Sequence, residues 1–347
     1  MQRCLQLATS GIGQVAPNPM VGAVLVFEGR IIGEGSHMKY GGPHAEVNCI
    51  NNVSQADKQF ITQSTMYVSL EPCAHFGKTP PCADLIVENK IRHVVIGCRD
   101  SFAEVDGKGI EKLKAAGTTV EVCILEKECV ELNKRFFTFY EQQRPYIILK
   151  WAQTNDGFIG TADSERTFIS NKLTNRLVHK WRSEEAAILV GTNTALQDDP
   201  SLTARLWPGN NPVRLVIDKE LKLPVSLKLF GGSTKTIVFN YQKKSDGNNL
   251  IYQQLNKDED MLTQILSSLY QQQIQSLIVE GGTKLLQSFI NAGLWDEARV
   301  ITNTEMIIGN GVASPVLNNE VLLNEVKRAN DIVSFFKKGA AKIKNRK

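Results

Sequence analysis

His44, Cys73 and Cys82 supply one nitrogen and two sulfur donors, and Glu46 stands two residues beyond the histidine in His44-Ala45-Glu46. Three N/S ligands with a fourth position left to water is the donor set of a catalytic zinc ion. A structural site closes with four protein ligands and needs no adjacent carboxylate. Placed there, Glu46 can take a proton from the water without binding the metal. Zinc deaminases of nucleobases work this way: activated water attacks the amine-bearing ring carbon while a non-ligand Glu shuttles protons. Cys73 follows Pro72 and Cys82 opens a helical pattern, and helix N-termini favour thiolate over thiol. Taken singly, either cysteine reads as a core thiol. The joint pattern of His-x-Glu, strand, Pro-Cys and Cys carries the metal reading. Cys4, Cys49, Cys98, Cys123 and Cys129 lack such company and read as core or surface thiols.

These residues need a scaffold, and the alternation of short β-type runs with helical patterns supplies one. Val21–Val26 and Ile31–Glu34 flank Glu28-Gly29, a hairpin signal. Met66–Ser69, Val94–Gly97 and Thr119–Ile124 read as strands; residues 44–52, Cys82–Glu88, Gly109–Ala116 and Leu125–Tyr140 read as helices. Met1 to Gly13 is a helix pattern and no signal peptide. Gln142-Gln143-Arg144-Pro145 is polar and ends in a breaker, so the boundary falls there: a first domain over 1–142 and a second over 143–347. The second half repeats the alternation, with strands at Tyr146–Trp151, Ala187–Gly191, Val213–Asp218, Thr236–Asn240 and Ser276–Glu280. Its helices are expected near 171–184, 259–272 and 283–292. Sheets layered between helices, an α/β class, are the expectation for both halves.

Composition narrows the function classes. A chain of 347 residues is long for one core. No apolar stretch approaches the ~18–20 residues of a membrane span, and seven cysteines, an odd number, argue against a secreted disulfide framework, so a cytoplasmic location is expected. The net charge of +4 is carried by six basic residues within 337–347, read as a solvated tail; without them 34 basic groups face 36 acidic ones. No nucleic-acid partner is expected from so nearly neutral a body.

Spacing is informative beyond the donor set. Generic cytidine-type deaminases place two residues between their cysteines; here eight intervene, from Ala74 to Pro81. With Pro17-Asn18-Pro19-Met20-Val21-Gly22 upstream, the stretch closely resembles the deaminase domain of the bifunctional riboflavin-biosynthesis deaminase/reductase family. The loop adds His75, Lys78 and Thr79 beside the metal, groups suited to a phosphate and a ring edge. The resemblance puts Asn18 on the pyrimidine; an Asx turn between prolines is the structural alternative. Family members usually begin several residues earlier, with an acidic residue before Met1, so a clipped first helix or a start further upstream is expected.

No Gly-x-Gly-x-x-Gly follows a strand in the second half. Lys150-Trp151-Ala152, Asp156-Gly157, Arg182, Gly191-Thr192-Asn193-Thr194, Asp198-Asp199-Pro200-Ser201-Leu202-Thr203-Ala204-Arg205 and Val279-Glu280-Gly281-Gly282 instead resemble, in order, the reductase domain of the same family. The resemblance implies a cytidine-deaminase-like three-layer domain followed by a dihydrofolate-reductase-like domain. It implies NADPH contacts at Ala152, Phe168, Thr194, Asp198 and the loop from Gly282, and substrate contacts at Arg166, Arg182, Leu202, Arg205 and Glu280. Two arginines suit a ribose phosphate. Asp198-Asp199-Pro200 as a plain turn and Arg182 on a solvated helix face are the alternatives. Where the family commonly has Ser-x-Trp, this chain has Arg166-Thr167-Phe168. Phe168 keeps an aromatic face but loses the indole donor, and Arg166 puts a long cation where the family has a small hydroxyl, which puts substrate binding by Arg166 in question.

The implied activity is hydrolytic deamination of 2,5-diamino-6-(ribosylamino)pyrimidinone 5′-phosphate at zinc, then NADPH-dependent reduction of its ribosyl group to ribityl. The family also suggests a homo-oligomer. Two rivals are tested by sequence features. A nucleic-acid editing deaminase needs a basic face with interleaved aromatics, against which the charge count speaks. An active deaminase with an impaired reductase is the reading that Arg166 and Phe168 keep open.

Overall fold

The computed structural model describes residues 1–76, 80–102, 105–162 and 167–339. The chain falls into two compact units, Met1–Gln143 and Arg144 onward.

In the first unit the elements run α1 (Gln2–Ala8), β1 (Gly22–Phe27), β2 (Arg30–Ser36), α2 (Ala45–Asn51), β3 (Thr65–Leu70), α3 (Cys82–Glu88), β4 (His93–Cys98), α4 (Lys108–Ala115), β5 (Thr119–Glu121), α5 (Glu126–Leu132) and α6 (Lys134–Gln142). The five strands order as β2-β1-β3-β4-β5, antiparallel from β2 to β3 and parallel from β3 to β5. Glu28 and Gly29, at φ 48° and 77°, make the left-handed turn that matches the twist of a two-residue hairpin. Ala45, Cys49 and Ile50 of α2, Ala83 and Ile86 of α3 and Leu113 of α4 share one core with the sheet. Phe136 and Phe137 of α6 and Cys129 of α5 form a separate core with Leu70 and Cys98. The sheet lies between them as the middle of three layers.

Two expectations are corrected here. The continuous helix over Leu125–Tyr140 is broken at Asn133, which is buried and spends its amide on Met20: Oδ1 accepts from the Met20 N–H at 2.8 Å and Nδ2 donates to the Met20 carbonyl at 2.9 Å. A partner 113 residues away outweighs the local helix pattern. The strand expected over Thr119–Ile124 ends at Glu121, because Cys123 and Leu125, at φ 68° and 58°, leave the extended region.

The second unit comprises β6 (Tyr146–Thr154), β7 (Phe158–Thr161), α7 (Lys172–Glu184), β8 (Ala187–Gly191), α8 (Thr192–Asp198), β9 (Val213–Ile217), β10 (Thr236–Asn240), β11 (Leu250–Gln254), α9 (Met261–Gln271), β12 (Ser276–Glu280), α10 (Thr283–Asn291), β13 (Glu297–Asn303), β14 (Gly311–Ala313), β15 (Glu320–Arg328) and β16 (Asp331–Lys338). A nine-stranded sheet orders as β11-β10-β9-β8-β12-β6-β13-β16-β15. It is parallel from β11 to β13, and the β13/β16 and β16/β15 pairs are antiparallel. Ile147, Leu149, Leu189, Leu277 and Val279 face one core while Tyr146, Ile148, Ile188, Val190 and Ile278 face another. Burial on both faces is why these strands read as continuous apolar runs instead of alternating ones. Seven elements, β7, α8, β11, β13, β14, β15 and β16, were not expected from the sequence. Lys337 and Lys338, expected in a solvated tail, both belong to β16, and Lys338 Nζ donates to the Gly293 carbonyl. Among the described residues no helix is long and apolar enough to cross a membrane.

Candidate active sites

His44 is the N-cap of α2, Cys82 opens α3, and Cys73 lies just beyond β3. α2 can bring His44 and Glu46 to the sheet because β2 carries glycine where they meet: a Cβ on Gly35 would stand 2.3 Å from the Ala45 carbonyl oxygen. His44 Nδ1 is 3.6 Å from Cys73 Sγ and 3.4 Å from Cys82 Sγ, and all three donor atoms lie within 4.8 Å of one another. Donors held about 2.0–2.3 Å from one tetrahedral zinc stand ~3.3–3.8 Å apart, so the set fits that ion in chemistry and spacing. The Cys73 thiol is pushed down to about 4, first by a hydrogen bond from Cys82 and then by His44, while the same pairing and burial hold Cys82 up. Glu46, 3% exposed, has its carboxyl raised by burial and then by the charge of Cys73. A buried carboxyl with a raised pKa is suited to take and return a proton.

His44, Cys73 and Glu46 line a cavity of about 210 Å³ that also takes in Asn18, His37 and His75. His37 went unnoticed in the sequence, where a lone histidine has no partner at ligand spacing. It is 2% exposed, its Nδ1 is 2.9 Å from the Pro43 carbonyl, and its Nε2 is 3.1 Å from Asn18 Nδ2. Asp100, Phe102, Phe136 and Tyr140, also unforeseen, line the same cavity. They come from the segment after β4 and from α6, and nothing in their own spacing marks them. Lys78 and Thr79 lie outside the described residues.

In the second unit, Arg182 of α7 grips Glu280 at the end of β12, with Nη2–Oε2 at 2.8 Å and Nε–Oε1 at 3.3 Å, and Lys150 Nζ of β6 reaches the same carboxylate at 3.8 Å. Burial works to raise Glu280, but Arg182 and then Lys150 outweigh it and hold it at about 2. Lys150 itself is lowered by burial. Arg182 is therefore no solvated helix residue. Thr194 of α8 accepts at Oγ1 from the Gly282 N–H at 3.0 Å, which joins the starts of α8 and α10. Gly281, at φ 122°, can pass there because it has no Cβ: one would stand 2.8 Å from Thr194 Oγ1. Leu202 is buried in a left-handed conformation at φ 52°, Ala152 is half-buried on β6, and Asp198 closes α8. Arg205 is exposed and Phe168 is 76% exposed, so neither is buried in the Arg182–Glu280 cluster. Arg166 lies outside the described residues.

Residues 1–98 match the cytidine and deoxycytidylate deaminase zinc-binding region, and residues 145–333 match the RibD C-terminal domain. The chain is 39% identical to the riboflavin biosynthesis protein RibD of Aquifex aeolicus, over 97% of each chain. It belongs to the RibD family. The Escherichia coli RibD is 34% identical, with 86% of this chain and 84% of that protein covered. A solved structure from Thermotoga maritima, a diaminohydroxyphosphoribosylaminopyrimidine deaminase/5-amino-6-(5-phosphoribosylamino)uracil reductase, matches with a TM-score of 0.87 at 35% identity and 97% coverage of both chains. As a RibD family member, the chain is a bifunctional enzyme of riboflavin biosynthesis. It has a cytidine-deaminase-like, zinc-dependent deaminase unit and a dihydrofolate-reductase-like, NADPH-dependent reductase unit.

Proposed function

We propose that the first unit hydrolyses the ring amino group of 2,5-diamino-6-(ribosylamino)pyrimidinone 5′-phosphate and that the second reduces the ribosyl group of the deaminated product to ribityl. The Thermotoga maritima relative is described as acting on this pair of compounds. The observation that carries the reading is the convergence of His44, Cys73 and Cys82 around one point, with buried Glu46 beside them.

A zinc ion held by those three residues supplies the Lewis acidity that makes water nucleophilic near neutral pH. Glu46 takes the proton that the attacking water loses and returns it to the departing amine, a role its raised pKa suits. Asn18, its amide oriented by His37, offers Oδ1 to a ring N–H. His75, Lys78 and Thr79 take the phosphate and ring edge.

NADPH supplies the hydride of the second step. Ala152, Phe168, Thr194, Asp198 and the loop from Gly282 hold the cofactor, and the free N–H groups at the start of α10 suit one of its phosphates. Arg182 and Arg205 hold the phosphate end of the substrate, with Leu202 and Glu280 lining its path and Arg166 on the substrate side. Both units thus hold a ribose phosphate, first on the diaminopyrimidinone and then on its deaminated product. The enzyme works in the cytoplasm, in keeping with seven cysteines none of which forms a disulfide, and as a homo-oligomer, as the family suggests. Purified protein given the diaminopyrimidinone ribosylamine phosphate should release ammonia and then oxidise NADPH. Absence of ammonia from zinc-loaded protein overturns the first half, and ammonia without NADPH oxidation overturns the second. Sedimentation as a monomer overturns the assembly.

A further inference from the structure

Glu71 ends the β3 segment next to Pro72 and Cys73, and its own N–H donates to the Cys98 carbonyl at 3.0 Å, extending the β3/β4 pairing by one residue. Its carboxylate is 4% exposed and accepts four backbone N–H groups. Oε2 takes those of Asp100 at 3.3 Å and Gly107 at 3.0 Å; Oε1 takes those of Gly109 at 3.0 Å and Ile110 at 3.2 Å. Gly109 and Ile110 belong to the first turn of α4, whose N–H groups have no acceptor within the helix. That turn rests directly on the metal-ligand segment: a Cβ on Gly109 would stand 2.0 Å from the Pro72 carbonyl oxygen.

Between the two residues held by Oε2 lie Phe102 and Val105, which line the deaminase cavity together with Asp100 and Glu71 itself. The Phe102 backbone is pinned from both sides. Its N–H donates to Asp100 Oδ1 at 2.8 Å, and its carbonyl accepts from Val105 at 2.8 Å and Asp106 at 3.0 Å. Its ring stands 4.8 Å from that of Tyr140 and 6.2 Å, edge-on, from that of His75.

We infer that Glu71 is a positioning residue for deamination: one buried carboxylate ties the wall made by Asp100, Phe102 and Val105, and with it the Phe102 ring, to the strand that delivers Cys73. The inference rests on the deaminase reading above. Glu71 reaches no reacting atom; it shapes the wall against which the pyrimidine binds.

Glu71→Gln preserves shape but replaces one oxygen by an NH₂. Whichever way the amide turns, two of the four donors lose their acceptor and face another donor. The zinc-loaded variant should show KM for the diaminopyrimidinone substrate raised roughly tenfold or more, because binding contacts set by the wall are lost, with kcat within about threefold. Zinc content and NADPH oxidation on the deaminated product should match the wild type. Phe102→Leu leaves the Glu71 bonds intact and should also raise KM without loss of zinc, which keeps the test decisive if Glu71→Gln does not fold. Unchanged KM in either variant overturns the inference. So does loss of zinc from Glu71→Gln, because Glu71 would then serve only the Cys73 segment. A wild type without ammonia release overturns the deaminase reading and this inference together, whereas an active wild type with KM unchanged in the variants overturns this inference alone.

Discussion

Asn18 and His37 form a pair whose hydrogen-bond direction is determined by a third group. The Pro43 carbonyl, 2.9 Å from His37 Nδ1, can only accept, so the ring proton sits on Nδ1 and Nε2 accepts from Asn18 Nδ2 at 3.1 Å. Burial lowers the His37 pKa and keeps the ring neutral, as this arrangement requires. The Asn18 amide is thereby held in one orientation, with Oδ1 left to accept from a ligand.

Replacing His37 by Phe should free that amide. A net hydrogen bond is worth about 1 kcal/mol, so KM for deamination is expected to rise roughly fivefold at unchanged zinc content. Steady-state kinetics beside elemental analysis checks this; a KM equal to wild type means that Asn18 keeps its orientation without His37.

Glu46→Gln should retain about one zinc per chain, because His44, Cys73 and Cys82 remain, while ammonia release falls by at least ~10²-fold with the loss of the proton carrier. Near-normal turnover would place the proton on another group.

The two arginines of the reductase unit should behave differently. Arg182→Met leaves the buried Glu280 with only Lys150 at 3.8 Å, and breaking such a pair costs ~3–5 kcal/mol, seen as a lower melting temperature and lost reduction. Arg205 is exposed, so Arg205→Ala should leave the melting temperature alone and weaken substrate use about ten- to a hundredfold, with NADPH affinity unchanged. Calorimetry and cofactor titration on both variants separate the outcomes. Equal melting temperatures would show that the Arg182–Glu280 pair contributes nothing net.

Acid should destabilise the second unit in two windows. Burial depresses His179 from 6.5 to about 4, so the unfolded chain binds the extra proton first and stability falls as pH drops below about 6.5, levelling near 4. Glu280, held at about 2 against an ordinary 4.5, contributes stability that is complete above 4.5 and is lost as pH falls toward 2. Melting curves between pH 7 and pH 3 check this, and His179→Gln should flatten the upper window only.

A fragment comprising Met1–Gln143 should fold and bind zinc, since its hydrophobic cores are formed by its own residues. Ending it near Tyr140 cuts α6 before its last turn at Gln142 and should lower its stability. A full-length Met1–Gln143 fragment that stays insoluble would show that the unit needs the rest of the chain.

His44, Glu46, Cys73 and Cys82 were legible because metal chemistry restricts residue type and spacing more tightly than packing does. The central strands β6, β8 and β12 were legible because burial on both faces demands continuous apolar runs. The edge strand β15 was not: Val321, Leu322 and Leu323 are 43–50% exposed, so neither face imposes an apolar period.

The amino-acid sequence by itself determined the donor set and the order of the central strands and of the helices packed between them, which depend on local residue type and period. Tertiary structure alone decided that Asn133 breaks a helix for the sake of Met20, that His37 orients Asn18, and that Glu71 collects four amides from Asp100 to Ile110. In each case a buried polar group takes its partner from a distant part of the chain. Leaving such a group unpaired costs ~1–3 kcal/mol, enough to override local preference, while its partner's position leaves no periodic mark in the sequence.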